Sequence, residues 1–440
     1  MNRLPGFAER AARFAFLALF AGIMWPPDAY FASQITLPLP QGSSNIYDFA
    51  EFAGLLAFLA IALVVVRRRL PELVVCAWPA LALAGLAFAS AFWSDDPALV
   101  VRRAGTVTLS TLFGVYLAAR GDLAALVATL VKVYAIAAVF SLILALALPQ
   151  FGTMTGDAYR HAWRGAFTDK NELGMVCGEG IIFAVYAFRR RYGPRGTAVF
   201  TIAASLVLLI GSESKTPIVV MAAALYAALL VMALRRRSAA GLALGFALLA
   251  AGLAVGALLA AGWQEALAAL GRDPTFTNRT RIWQLALDYI ARRPWLGYGY
   301  ESFFRADSAD ANLIWTLVGF KTPHAHNSWL EIGLGMGVIG VGAAALAWLV
   351  AFYRTLRVAT APHVEHIAFC FALLAGIFFE NLSEFEFFRA GRLMWALFVA
   401  VLVYLGREVI LLRASRAAAW RTGTVTRPLT YAAARGAIAP

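Results

Sequence analysis

Residues 212–237 read SESKTPIVVMAAALYAALLVMALRRR. A short polar turn leads into an apolar run, and Arg235, Arg236 and Arg237 close it. The run over 216–234 matches the length of a membrane-crossing helix, which needs about 20 predominantly apolar residues. Pro217 suits the first turn of a helix, where its missing N–H costs nothing. The arginine triplet marks the cytoplasmic end, because Lys and Arg concentrate in cytoplasmic loops.

The same unit recurs along the chain. Apolar segments fall at 12–25, 48–66, 73–92, 99–119, 128–148, 172–188, 197–211, 216–234, 241–262, 330–352, 365–380 and 393–412. These segments predict an all-α, polytopic integral membrane protein with about twelve transmembrane helices. Helices one to nine occupy 1–262, a long outer loop with short helices occupies 263–329, helices ten to twelve occupy 330–412, and a basic tail occupies 413–440. Arg3, Arg10 and Arg13 precede the apolar run Phe14 to Trp25, which reads as a retained helix rather than a cleaved signal.

Composition agrees with that reading. The 440 residues are 61% hydrophobic and 14% charged, with a mean hydropathy of +0.71. Soluble domains are about a quarter charged and carry far less apolar surface. The net charge of +13 raises the question of nucleic acid. The arginines instead sit in short runs between apolar segments, so no nucleic acid partner is expected and membrane lipids are. Cys76, Cys177 and Cys370 lie in apolar segments without regular spacing, giving neither a disulfide framework nor a metal motif. No repeat of 20–50 residues and no inverted duplication is visible, which weakens a transporter reading.

The arginines also set the topology. Arg67–Arg69, Arg120, Arg189–Arg191 with Arg195, Arg235–Arg237, Arg354 with Arg357, and Arg407, Arg413 and Arg416 fall in alternate loops. With the N-terminal arginines they share the cytoplasmic side. Asp95-Asp96, Arg160 to Glu172, Ser212 to Lys215, 263–329 and Glu380 to Arg392 then face outward. An enzyme working there has no cytoplasmic nucleotide to draw on. It needs a substrate that arrives activated, most simply as a lipid-linked diphosphate.

Candidate chemistry clusters in those outer loops. His326 stands just before a predicted span, and an imidazole titrates near neutral pH and accepts a proton from an attacking hydroxyl. Asn327 beside it orients the ring or a sugar hydroxyl, and Glu331 follows one turn later. The competing reading is an interfacial His bonded to backbone. His324 and His326 form an H-x-H pair without a third ligand nearby, so no metal is expected. Arg279 and Arg281 match phosphate oxygens with planar forks. Two residues apart on a helix they do not share a face, and lipid headgroup binding is their alternative. Lys215 precedes a positive helix end, which favours an anion between them; snorkelling is its alternative. Arg164, Lys170 and Asn171 form a compact polar run before the sixth span, suited to a diphosphate or an anionic sugar and equally to capping. Arg102 and Arg103 open the fourth span on the outer side, against the charge bias, and are second-tier candidates for phosphate binding. Glu179 lies inside the sixth span, where a carboxylate is costly and is usually paired or functional. Asp95-Asp96 offers an acidic base or metal pair, though acids are favoured at a helix start in any case.

Taken together, Trp93-Ser94-Asp95, Arg164-Gly165 to Lys170-Asn171, Ser214-Lys215-Thr216, Arg279-Thr280-Arg281-Ile282-Trp283, Pro294 with Gly297-Tyr298-Gly299, and Ala325-His326-Asn327-Ser328-Trp329-Leu330-Glu331 with Gly335 and Gly337 resemble the O-antigen ligase and polymerase superfamily of bacterial membrane glycosyltransferases. The resemblance implies an inner-membrane enzyme with its site facing the periplasm. It implies a donor glycan on undecaprenyl diphosphate, an acceptor sugar hydroxyl on lipid A core or on a growing polysaccharide, and no cofactor. His326 matches the catalytic His, Arg279 the loop arginine, and Lys215 a position often held by Arg. That Lys and the Asp169-Lys170-Asn171 run lean toward exopolysaccharide polymerases. Two rivals stay open. A lipid-linked glycan flippase needs the cations but not His326, and a cell-wall glycan polymerase needs an outer carboxylate instead.

Overall fold

A computed structural model describes residues 66–421 apart from 121–122, 156–159, 237, 270–278 and 360–365, together with a few positions before 66. Among the described residues the regular elements are all helices, joined by turns and loops, with one isolated bridge between Thr153 and Trp163. The helices are α1 (Leu70–Ala89), α2 (Pro97–Ala119), α3 (Leu123–Ala147), α4 (Lys170–Arg190), α5 (Arg195–Gly211), α6 (Thr216–Arg235), α7 (Ala239–Ala269), α8 (Arg279–Arg292), α9 (Ala309–Val318), α10 (Ser328–Ala359), α11 (Ile367–Glu380) and α12 (Leu393–Arg421). A short turn at Pro149–Gly152 follows α3.

Seven of these are long and apolar enough to cross a membrane: Arg67–Phe92, Pro97–Ala119, Leu123–Ala147, Lys170–Arg190, Thr216–Arg235, Ser328–Ala359 and Leu393–Ser415. Arg195–Gly211, Ala239–Ala254 and Ile367–Glu380 are shorter apolar helices. The expected spans at 12–25 and 48–66 lie outside the described residues. The last helix runs to Arg421, well past the expected span end at 412.

Residue chemistry sets the helix ends. Asp169 caps α4 by accepting from Asn171 N at 2.7 Å and Glu172 N at 3.0 Å. Asp96 accepts from Leu99 N at 3.0 Å at the start of α2. Ser308 accepts from Ala311 N at 3.2 Å and caps α9. Asn327 Oδ1 accepts from Trp329 N at 2.9 Å and Leu330 N at 3.2 Å, capping α10. Each satisfies N–H groups that a helix start leaves unpaired.

The chain divides into two compact units. The first contains Gly105–Leu225 and Ala375–Leu397 with the residues up to Val66. Its centre is the packing of α3, α4 and α5. Tyr134 lies 5.7 Å, ring to ring, from Phe183, and its hydroxyl donates to Glu179 Oε2 at 2.7 Å. The intramembrane carboxylate is therefore paired, as its cost requires.

The second unit contains Arg67–Ala104, Tyr226–Leu374 and Phe398 onward. Here α1 packs on α10, and α8 and α9 build a core of Ile282, Ala286, Tyr289, Tyr298, Ile314 and Trp315. Arginines join several of its helices. Arg235 donates to Ala359 O at 2.7 Å, joining the last turns of α6 and α10. Arg407 pairs with Glu72 at 2.9 Å, joining α12 to the start of α1. Arg354, expected in a loop, is instead inside α10 and buried, because that helix runs on to Ala359. Its guanidinium donates to the carbonyls of Cys76 at 2.5 Å and Leu402 at 2.8 Å, which offsets the cost of an interior cation.

α10 is broken. Gly337 has φ 60° and ψ −160°, a region essentially restricted to glycine. The loop after α8 supplies the missing backbone partners. Tyr298 N donates to Leu334 O at 2.7 Å, Gly299 N to Gly335 O at 2.8 Å, and Val338 N to Pro294 O at 2.8 Å. A broken helix in a membrane protein is tolerated where protein satisfies the freed groups. This loop does so with the Pro294 and Gly297-Tyr298-Gly299 run that stood out in the sequence.

Candidate functional site

In the second unit, α8 starts at Arg279 and presents Ile282, Ala286 and Tyr289 to the core. Arg279 is half-buried and Arg281 is exposed, so the two cations do diverge across the helix. Trp283 lies one turn beyond Arg279 on the same side. Its indole N–H donates to Ala325 O at 2.9 Å. That bond ties the arginine helix to the residue before His326.

The histidine turn is tightly specified. Thr322 Oγ1 donates to His324 O at 2.5 Å. His326 N–H donates to His324 Nδ1 at 3.2 Å, and His324 is buried. The two rings meet edge to face, 4.3 Å between centroids. Glu331 is buried and accepts from Ala325 N. His326 itself has φ 52°, the left-handed region, uncommon for a non-glycine residue although His visits it more than most. Its side chain is half-buried. Hydrogen bonds with Trp283, Thr322, His324 and Glu331 thus hold the backbone of residues 324–326, and the residue after His326 caps α10.

Arg103 lies in the same unit, where its guanidinium donates to Glu301 O, while Arg102 is exposed. Asp95 pairs with Arg293 at 3.6 Å on the surface, and Asp96 is the α2 cap described above. Among the described residues, no group of three or more His, Cys, Asp and Glu is placed to hold a metal ion.

The first unit gathers the other predicted cations at one end of α4. Asn171 Oδ1 accepts from Ser214 Oγ at 2.7 Å, which sets Lys215 and the start of α6 beside the start of α4. A Cβ on Gly174 would come within 2.7 Å of the Pro217 ring, so the contact depends on glycine. Lys215 is exposed and immediately precedes Thr216, the first residue of α6. Lys170 opens α4 and is buried. Trp163 N donates to Gly211 O at 2.8 Å, fastening the Arg164 segment to the end of α5. Arg164 is buried and its Nε donates to Phe151 O at 3.0 Å. Burial pushes the Asp169 carboxyl above its usual range, helped by the charge of Glu172 and opposed by its two capping N–H donors.

One set of residues was missed in the sequence. Arg392 donates to Glu172 Oε1 at 2.6 Å and lies 3.6 Å from Glu386 Oε1, while Glu386 is 3.3 Å from Arg389. Glu172 also accepts from Thr168 Oγ1 at 2.5 Å. This network anchors the 381–392 segment to the start of α4. The signal was the density of Glu380, Glu384, Glu386, Arg389 and Arg392 between two apolar helices.

The architecture defines a class first: an all-helical, polytopic membrane protein with charged turns fixed at the ends of its helices. Comparison with known proteins then shows what the chain is similar to. Residues 200–345 match the family described as O-Antigen ligase. That stretch includes Lys215, Arg279, Arg281, His326, Asn327 and Glu331, and leaves out Arg102, Arg103, Arg164, Lys170 and Asn171. The chain is also 28% identical over 278 residues to the exopolysaccharide production protein ExoQ of Rhizobium meliloti (strain 1021), a match covering 60% of this chain and 62% of that protein. The two matches support the O-antigen ligase and polymerase superfamily that the sequence runs resemble.

Proposed function

We propose that this protein is a membrane glycosyltransferase of polysaccharide biosynthesis. It moves a glycan from undecaprenyl diphosphate onto an acceptor sugar hydroxyl at the outer face of the bacterial inner membrane. The observation that carries this reading is the Trp283–Ala325 hydrogen bond, which couples the helix bearing Arg279 to the turn bearing His326. The matched relative, a protein of exopolysaccharide production, favours a growing polysaccharide as acceptor over lipid A core.

His326 takes the proton of the acceptor hydroxyl as its oxygen attacks the anomeric carbon. The bond from that carbon to the diphosphate oxygen breaks on the opposite side, so configuration inverts. The departing diphosphate gains negative charge. Neutralising it is the task that the family resemblance assigns to Arg279, Lys215 and Arg164. Fixed cations of this kind act without reorganisation during the reaction, and no metal enters the scheme. Asn327 and Glu331 hold the His326 turn. Lys170, Asn171, Arg281, Arg102 and Arg103 are assigned to substrate contact. The accompanying topology has about twelve spans, cytoplasmic termini and a periplasmic 263–329 loop.

The test uses purified protein in lipid nanodiscs with a lipid-diphosphate glycan and a soluble acceptor. His326→Ala should abolish transfer while leaving folding intact. His324→Ala removes one positioning bond and should cost about tenfold or less, since a hydrogen bond contributes about 0.5–1.5 kcal/mol. Transfer by His326→Ala at near the normal rate would remove the base and favour a flippase. In whole cells, a thiol reagent confined to the periplasm should label Ser308→Cys and not Ser238→Cys; the reverse pattern would overturn the topology.

A further inference from the structure

The break in α10 coincides with a change of surroundings. Residues 331–337 are all buried, and Val338 and Ile339 immediately after them are 53% and 45% exposed. Exposed apolar residues then recur down the same helix at Leu346 and Leu349. From Val338 to Ala359 the helix rises about 32 Å at 1.5 Å per residue. The hydrocarbon core is about 30 Å thick. Only the part beyond Gly337 is therefore needed to cross it, and the part from Ser328 to Gly337 projects above.

Two further elements end at this level. The loop after α8 abuts the break through Pro294 O and leaves Trp295 68% exposed. The helical run from Arg67 ends at Phe92, which is 93% exposed. Trp93 Nε1 donates to Leu296 O at 2.7 Å and joins the two edges. Phe92, Trp295 and Leu296 thus form an exposed rim where the lipid-facing stripe of α10 begins. Arg292 and Arg293 stand just before it, at the end of α8. Aromatic rings with adjacent cations are the chemistry of the boundary between acyl chains and lipid phosphates.

We infer that the Phe92–Trp295–Leu296 rim is an interfacial anchor, seated in the bilayer at the hydrocarbon–headgroup boundary. It fixes the height at which α8 and the His326 turn stand above the lipid. The occupant of the rim is the phospholipid bilayer. The inference is independent of the glycosyl-transfer reading, because it concerns depth rather than turnover.

Nitroxide labels test it in the full chain reconstituted in phosphatidylethanolamine–phosphatidylglycerol vesicles. Phe92→Cys, Trp295→Cys and, as a second position on the loop, Leu296→Cys carry the label. Leu349→Cys and Asp307→Cys serve as lipid and water references, and the parent chain, whose Cys76, Cys177 and Cys370 are buried, controls for background labelling. Collisions with oxygen should exceed those with a water-soluble nickel chelate at all three rim positions and at Leu349, and the order should reverse at Asp307. Rim labels that behave like Asp307 would overturn the anchor. So would labels shielded from both reagents, which would mean that protein covers the rim.

Discussion

Trp283 donates its indole N–H to the carbonyl of Ala325 across 2.9 Å, although the two residues are 42 positions apart in the chain. One end of this bond is a turn away from Arg279, and the other is the residue before His326. The bond matters because His326 holds a left-handed backbone conformation at φ 52°, which costs free energy unless its surroundings fix it.

Trp283→Phe keeps most of the ring and removes the donor. Stability should fall by about 0.5–1.5 kcal/mol. Transfer should fall by more than that loss of folded population explains, because the turn that presents the imidazole loosens. Thermal unfolding beside single-turnover kinetics checks this; equal losses in both would show that the bond serves packing alone.

Gly337 offers a sharper test of the broken helix. A Cβ there would lie 2.3 Å from the carbonyl carbon of Trp295, at a backbone conformation that other residues rarely adopt. Gly337→Ala should destabilise by at least the roughly 1–3 kcal/mol of backbone strain, read as a lower unfolding temperature in detergent. Gly342→Ala, with nothing within 4 Å of its Cβ position, should be near neutral in the same helix.

Much of this architecture was legible in the sequence, for physical reasons that differ by element. Apolar length is a local property, so α2, α3, α4, α6 and α12 could be read from composition. The arginine ends were legible because charge cannot stay in hydrocarbon. Arg354 misled, since a cation satisfied by the carbonyls of Cys76 and Leu402 looks in sequence like a loop cation. The His326 turn stood out as polar residues beside a span, yet its grip depends on Trp283 and Thr322, which carry no charge to betray them. The Arg392–Glu172 pair joins segments 220 positions apart, and no local pattern announces such a contact.

Asp169 links the first unit to pH. Burial raises its carboxyl above the ordinary range, so between the unfolded value of about 4 and the higher folded value the folded state holds a proton that the unfolded state has released. Its contribution to stability therefore falls as pH rises through that window. Asp169→Asn retains the cap, because Asn serves as well at that position, and removes the titration. Unfolding temperatures measured from pH 4 upward should decline less steeply in Asp169→Asn than in the parent. Parallel curves would show that Asp169 is ionised in the fold.

Arg279 and Lys215 should separate shape from charge. A guanidinium meets two phosphate oxygens with a planar fork, whereas an ammonium acts as a point charge. Arg279 begins α8 and is half-buried. Lys215 is exposed and immediately precedes α6. Arg279→Lys should therefore cost transfer heavily, while Lys215→Arg should be tolerated. Arg279→Ala and Lys215→Ala should each lower the rate by about a hundred- to thousandfold, the usual loss when one group stabilising developing charge is removed, or about 2.7–4 kcal/mol. EDTA should leave the parent rate unchanged. Turnover that requires a divalent ion and survives Arg279→Ala would move the chemistry away from these side chains and toward a metal held at Asp95 and Asp96.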